Sequence, residues 1–419
     1  MKEDFSFMKE SIKDKPFYKK KWVRILCGTV ALAVIFGAVS GSIFMKIQNH
    51  MKEKQELEAM QEIEIPKDRP EEIPLSEEVS QAEEQTEPEK VFVEAELTLK
   101  EYGSLFSQMQ KVAEETSKAL VTVTAVSNDV DWFNEAYENR GQSTGMIIGD
   151  NGVELLILTK YSIVEECDGI NVTFTDDTSA SAVLKRYDIT TGLAVISVNL
   201  SDISADTKSQ ITKAALGNSM RLKAGTPVIA LGQADGSTES MKIGTLTSVK
   251  NKQSVVDAEY TILVTDMMKN EGSNGVLINL NGQIVGIIQE QHLASNMKDV
   301  ISAYAISDIK SLLEHLSNNQ DIVYLGIKGV TVTSDALRTG VPSGVYVTEV
   351  KMDSPAMKGG IQTGDVIQAI NGQKITQMSE LTAVLERLSN RQNISLEGRR
   401  LTKDGYKKLN YQTSLSVLE

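Results

Sequence analysis

Two successive sets of short apolar runs, cut apart by Gly, Asp and Asn, constrain this chain more than any other feature. The first set reads ALVTVTAV (119–126), GMIIGD (145–150), ELLILT (154–159), INVTFTD (170–176), ASAVLKRYD (180–188) and LAVISVN (193–199). After a break beginning GNSMRLKAG, the second set reads PVIALGQ (227–233), KIGTLTSV (242–249), YTILVTD (260–266), NGVLINL (274–280) and QIVGIIQ (283–289). Runs this short, rich in Val and Ile and separated by turn residues, predict the strands of a barrel or sandwich, not alternating helices and strands. Two consecutive sets predict two packed barrels. Helix-like apolar spacing flanks them in SLFSQMQKVAEETSKAL (104–120) and SDIKSLLEHLSNN (307–319).

The strands leave much of the chain unaccounted for. At 419 residues there is room for two or three domains of about 150 residues each. The first 24 residues are basic, with Lys2, Lys9, Lys13, Lys15, Lys19, Lys20, Lys21 and Arg24. Ile25–Met45 then runs without a charge, long enough to cross a membrane as a helix. It exceeds the 7 to 15 apolar residues usual for a signal peptide. The basic flank precedes it, so the N-terminus is expected in the cytoplasm and the body outside, in the envelope of a single-membrane bacterium. Residues 46–96, rich in Glu, Gln and Pro and poor in aromatics, read as an acidic stalk, disordered or partly helical. The net charge of −14 argues against a nucleic-acid binder. Cys27 lies in the span and Cys167 in the body, so no internal disulfide is expected, and no ligand spacing around Cys167 suggests a metal or cofactor.

Behind the second helix a third module contains YLGIKGV, SGVYVTEVKMDSPAMKGGIQTGDVIQAINGQKI and SELTAVLERLSN. GGIQTGD fits tight turns between a short helix and a strand, and NGQKI supplies Asn-Gly turn chemistry. The ordered phrase SPAxxxGIxxGDVIxxINGxxI resembles a PDZ domain of the kind attached to bacterial proteases. With that module in view, the barrels resemble the HtrA proteases, the DegP- and DegS-like family, from Lys111 to Glu419. KVAEETSKALVTV, STGMIIGDNG and ISAYAISDIKSLLEHL match the family's scaffold phrases. The implied architecture is mainly β: a trypsin-like double β-barrel over 97–319 and an α+β PDZ domain over 320–419, behind a basic tail (1–24), a transmembrane helix (25–45) and the stalk (46–96). The resemblance also implies a homotrimer, with Tyr102 and Phe106 as available aromatic contacts.

A serine protease needs a nucleophile, an imidazole base, a carboxylate that orients the base, and donors for the oxyanion. Carried over by motif, LILTKYSIVEE puts Ser162 at the family's histidine position and DITTGLAVISV puts Gly192 at its aspartate position. NEGSNGVLINLNG is one residue shorter than the family's nucleophile loop, so Ser273 or Asn274 takes the nucleophile position. The chain's histidines are His50, His292 and His315, none of them between Met51 and Gln291. An alternative serine–lysine dyad, Lys160 with Ser162 or Lys269 with Ser273, requires a desolvated lysine of depressed pKa. Asp188 is a candidate turn cap with no histidine to orient.

The PDZ groove carries the other expectation. PDZ domains add a peptide to a sheet edge and hold its terminal carboxylate on backbone N–H groups. By resemblance Tyr324, Leu325, Gly326 and Ile327 form the carboxylate loop, and Leu381 and Leu385 line the pocket. The reading is a membrane-anchored, proteolytically inactive HtrA-like protein that binds C-terminal or extended envelope peptides as a sensor or scaffold. Its alternative is an active envelope endopeptidase with an atypical dyad.

Overall fold

The two barrels pack on each other through strands that are covered on both faces. In the computed structural model, which describes residues 60–68, 98–130, 136–288 and 299–417, the first set forms β1 (Leu120–Val130), β2 (Ala136–Asp150), β3 (Glu154–Lys160), β4 (Gly169–Thr173), β5 (Ser179–Asp188) and β6 (Leu193–Asn199). They close in the order β1-β2-β3-β6-β5-β4. The second set forms β7 (Pro227–Gln233), β8 (Ser240–Val255), β9 (Ala258–Met268), β10 (Asn274–Ile278), β11 (Ile284–Ile288) and β12 (Val300–Ala305), closed as β10-β11-β12-β9-β8-β7.

Strand β6 is buried at every position from Leu193 to Val198, and β11 throughout. One face of each fills its own barrel: Val123, Ile147, Ile157, Val172 and Ile196 in the first, Val228, Leu246, Leu263, Leu277 and Val285 in the second. The other face meets the neighbouring barrel, where Leu156, Leu158, Leu193 and Val195 share a core with Ile229, Leu231, Val276 and Ile284. Near-continuous apolar runs are the sequence signature of that double coverage.

Helix α1 (Leu99–Ser117) starts at a capping box, with Thr98 N donating to Glu101 Oε2 at 2.9 Å and Glu101 N to Thr98 Oγ1 at 3.3 Å. Its last turns bury Ala113 and Thr116, while Tyr102 and Phe106 stay exposed with ring centroids 5.0 Å apart. Short helices α2 (Tyr161–Val164) and α3 (Ala205–Gln210) decorate the first barrel. Helix α4 (Ile306–Ser317) follows β12 and buries Ile306, Ile309, Leu313 and Leu316 in the shared core.

The third module contains β13 (Val323–Tyr324), β14 (Ile327–Thr331), α5 (Ser334–Arg338), β15 (Val345–Val350), α6 (Pro355–Lys358), β16 (Val366–Ile370), β17 (Gln373–Lys374), α7 (Met378–Leu385), β18 (Asn393–Thr402), β19 (Gly405–Ser414) and β20 (Ser416–Val417). Its main sheet runs β14-β15-β16-β18-β19, which leaves β14 at an edge. Asn371 and Gly372 turn β16 into β17 with φ of 50° and 80°, the left-handed pair a two-residue hairpin needs. Ser354 caps α6 by accepting from Met357 N at 3.1 Å, with Pro355 at the first turn.

One stretch departs from the sequence expectation. Residues 61–68, read as stalk, pack on the body: Ile65 is buried, and Ile63 exchanges hydrogen bonds with the Asn318 amide at 2.8 and 2.9 Å. Asp68 Oδ2 accepts from Ser307 Oγ at 2.7 Å and Lys310 Nζ at 2.8 Å. Two isoleucines spaced by one glutamate, in EIEIP, give a short extended segment an apolar side that the acidic composition concealed. The segment 25–45 lies outside the described residues; among those described, no helix is long and apolar enough to cross a membrane.

Candidate functional site

The positions expected by motif to be catalytic lie at the ends of three strands, β3, β6 and β10, that line one small cavity. Ser162 sits exposed on α2, directly after β3. Gly192 precedes β6, and its carbonyl accepts from Tyr161 N at 2.8 Å, which links the segments that carry the expected base and acid positions. Gly192 has φ +71°, which closes the DITTG turn. Asp188 caps that turn, accepting from Thr190 N at 3.1 Å, Thr191 N at 3.0 Å and Thr191 Oγ1 at 2.6 Å.

The two nucleophile candidates face different ways. Ser273 is buried in the second barrel, where its Oγ donates to Ala234 O at 3.1 Å and accepts from Asn270 N at 3.0 Å. Asn274 is the residue that reaches the junction. Its Oδ1 accepts from Thr144 N of the first barrel at 2.9 Å and from Ser143 Oγ at 3.3 Å. Its Nδ2 donates to Gln233 Oε1 at 2.5 Å and to Gly272 O at 2.8 Å. The buried amide therefore joins the barrels. A small cavity of about 20 Å³ beside it is lined by Thr144, Thr159, Lys160, Leu193, Asn274 and Gly275.

Of the dyad lysines, Lys160 ends β3 at that cavity, and the Lys269 backbone N–H donates to Asp299 O at 2.8 Å. Among the described residues the histidine is His315, on α4. Its Nδ1 lies 2.8 Å from Ser311 O and its Nε2 3.3 Å from Glu386 O. His50 and His292 fall outside the described residues. Among the described residues, no group of acidic, His or Cys side chains has the geometry of a metal site.

The PDZ loop is assembled differently. Leu325, Ile327, Leu381 and Leu385 are all buried in the module's core, and Tyr324 is half-buried on β13. Tyr324 and Leu385 also line a cavity of about 70 Å³, together with Val256, Asp257 and Thr382. Gly326 has φ +93°, and a Cβ there would lie 2.3 Å from Ser354 Cβ. Packing on Ser354 is thus a second reason for glycine, beyond the approach of a carboxylate.

The amides of Leu325, Gly326 and Ile327 converge on one carboxylate, that of Asp257, in the turn between β8 and β9. Leu325 N donates to Oδ2 at 2.6 Å, Gly326 N to Oδ2 at 2.8 Å and Ile327 N to Oδ1 at 3.0 Å. Burial pushes the Asp257 carboxyl up to about 6, against the opposing pull of these three amides and of the Lys351 charge. Sequence reasoning missed Asp257 because an Asp in a hairpin turn is ordinary turn chemistry, and nothing local marks it as the partner of a loop 68 residues away.

Comparison with known proteins agrees with both modules. Residues 143–287 match the trypsin-like peptidase domain family and residues 323–397 the PDZ domain family. The chain is 27% identical over 307 residues to "Serine protease Do-like HtrA" of Bacillus subtilis (strain 168), covering 67% of each. It is 30% identical over 268 residues to "Probable periplasmic serine endoprotease DegP-like" of Pseudomonas savastanoi pv. phaseolicola, covering 62% of this chain and 53% of that protein. The chain thus spans about half the length of that relative. Among solved structures, "HtrA-type protease AlgW with decapeptide" superposes with a TM-score of 0.54 at 20% identity, over 74% of this chain and 99% of that one. "HtrA-type protease AlgW with tripeptide" gives 0.55 at the same identity. Two closed barrels with a PDZ module behind them, matched by a trypsin-like peptidase domain and a PDZ domain, make the chain similar to the HtrA proteases in both its modules.

Proposed function

We propose that this protein is a proteolytically inactive HtrA-like pseudoprotease, which binds C-terminal or extended peptides through its PDZ domain as a sensor or scaffold. We place its body outside the cytoplasm, tethered by a membrane helix over 25–45, and expect it to assemble as a homotrimer. The observation that carries the reading is Asn274: its amide spends all four hydrogen bonds joining β2, β7 and the nucleophile loop. Ser162 and Gly192 at the base and acid positions support it, because a serine hydroxyl cannot accept the nucleophile's proton at neutral pH and glycine has no side chain to orient a base. Ser273 Oγ, hydrogen-bonded inside its own loop, has no imidazole beside it among the described residues.

The second reading is an active endopeptidase, favoured by relatives named serine proteases. A fluorophosphonate probe on the chain from Gln61 to Glu419, which keeps the segment packed on the body, separates the two, run beside Ser273→Ala, Ser162→Ala and an active HtrA protease. Absence of label on the folded protein, with the control labelled, is the expected result. Label that disappears only in Ser273→Ala establishes an unusual active site and removes the pseudoprotease reading.

A further inference from the structure

The PDZ groove already contains a segment of this chain. β14 is an edge strand, and edge strands expose a row of unpaired N–H and C=O groups. Here Val256, in the turn between β8 and β9, forms an antiparallel bridge to Lys328 of β14. Asp257 N donates to Ile327 O at 2.7 Å and Ser254 Oγ to Gly329 O at 2.8 Å. From the other wall of the groove, Thr382 Oγ1 of α7 donates to Asp257 O at 2.8 Å. Main-chain pairing along a sheet edge, with a carboxylate on the loop amides, is how a PDZ domain takes a peptide.

We infer that the ligand of the carboxylate loop is internal: the tip of the β8–β9 hairpin occupies the groove in cis, and the Asp257 side chain stands in for a peptide's terminal carboxylate. Two further features fit that role. Asp257 has φ +57°, a conformation an L-residue adopts at a cost, and here it turns the chain back while the side chain points into the loop. Its carboxylate is buried, so without the three amides it would be an unsolvated charge. Consequently a free C-terminal peptide binds by displacing the hairpin, and its affinity is lowered by the cost of that release. Because β8 and β9 are staves of the second barrel, displacement would also free a turn that continues into β9, the strand that pairs with β12.

This inference rests on the peptide-binding reading only for its competition step, and the experiment keeps the two apart. Hydrogen exchange is followed at the Leu325, Gly326 and Ile327 amides in the full chain and in Asp257→Ala, with barrel-core amides as the folding control. Asp257→Asn, which keeps the shape and one carbonyl, covers the case in which the alanine variant fails to fold. Strong protection in the parent, lost at these three positions alone in the variant, is expected. Equal exchange in both proteins overturns the internal ligand.

The competition step uses the hexapeptide acetyl-NKQSVV, copied from residues 251–256, with a free terminal carboxylate and, separately, as the amide. The free acid is expected to bind Asp257→Ala at least tenfold more tightly than the parent, and the amide to bind neither. Equal affinity of the acid for parent and variant overturns the displacement. If neither protein binds the acid while the loop amides are protected in the parent and exposed in the variant, the internal ligand stands and the peptide-binding reading fails.

Discussion

The inter-barrel cleft and the PDZ groove belong to one chain, and they differ in what they are made of. A protease triad is built from side chains, and the motif reading puts Ser162, Gly192 and either Ser273 or Asn274 at its three positions here. The polar groups left at the junction satisfy one another: Asn274 serves Thr144 and Gln233, and Ser273 serves Ala234 and Asn270. The carboxylate loop is built from main-chain N–H groups of Leu325, Gly326 and Ile327, which no substitution other than proline removes. Such a site persists in the sequence, and its buried donors must find an acceptor. A side-chain site can therefore fall silent by substitution, whereas a backbone site falls silent only when something fills it.

The sharpest way to break this contrast is at the glycine of each site. Gly326→Ala puts a Cβ 2.3 Å from Ser354 Cβ at φ +93°. It is expected to cost about 3 kcal/mol or more, through combined clash and left-handed strain. Gly192→Ala, at φ +71° with open space around it, is expected to cost only about 1–2 kcal/mol. Urea unfolding of the two variants checks both; equal losses would mean that the carboxylate loop yields as easily as a surface turn.

Next in size is Asn274→Ala. Removing the amide takes the Asn274 partner from Thr144 N and Gln233 Oε1 at a buried junction, at an expected cost of about 1–3 kcal/mol. Asn274→Ser is expected to lose stability in the same range and to gain no fluorophosphonate label, since Ser162 supplies no base. Label on that variant would show that the cleft still holds a working proton acceptor, and the contrast between the two sites would collapse.

Much of the architecture was legible because it is periodic. The two sets of Val- and Ile-rich runs correspond to the two closed barrels, and SPAMKGGIQTGDVIQAINGQKI carries the α6 cap and the left-handed Asn371-Gly372 turn in its own letters. Ser162, Gly192 and the Ser273–Asn274 pair were assigned by motif alone, and which of Ser273 and Asn274 faces the junction was not readable. Adjacent strand residues point to opposite faces, so a one-residue shortening leaves register open until β7 and β10 pair Asn274 with Gln233. Two other features depend on contacts between distant segments. Ile63 and Ile65 look like spacer until Asn318 and the shared core receive them. Asp257 looks like turn chemistry until Leu325, Gly326 and Ile327 surround it.

The smallest expected effect tests how the groove treats its own carboxylate, by comparing two buried aspartates with opposite shifts. Burial works to raise Asp365, but Arg400, the Gln362 amide and the Tyr411 hydroxyl together hold it below the ordinary carboxylate range. Its contribution to stability is therefore present above about pH 4 and lost as the pH falls below that. Asp257 runs the other way. With its folded carboxyl raised to about 6, its protonated form is favoured in the docked state, so its contribution is full below about pH 4 and lost as pH rises through 6. The groups around it are Lys351, and across the adjoining cavity Asp188, His315, Asp321 and Glu386. Between pH 7 and pH 5 the unfolding free energy of the parent is expected to gain about 1 kcal/mol on that of Asp257→Asn. Both proteins carry the same Asp365, whose contribution is flat over that range, so the difference isolates the docked turn. A difference that narrows instead would mean that the three amides outweigh desolvation, and that the loop prefers the charged carboxylate a peptide terminus also brings.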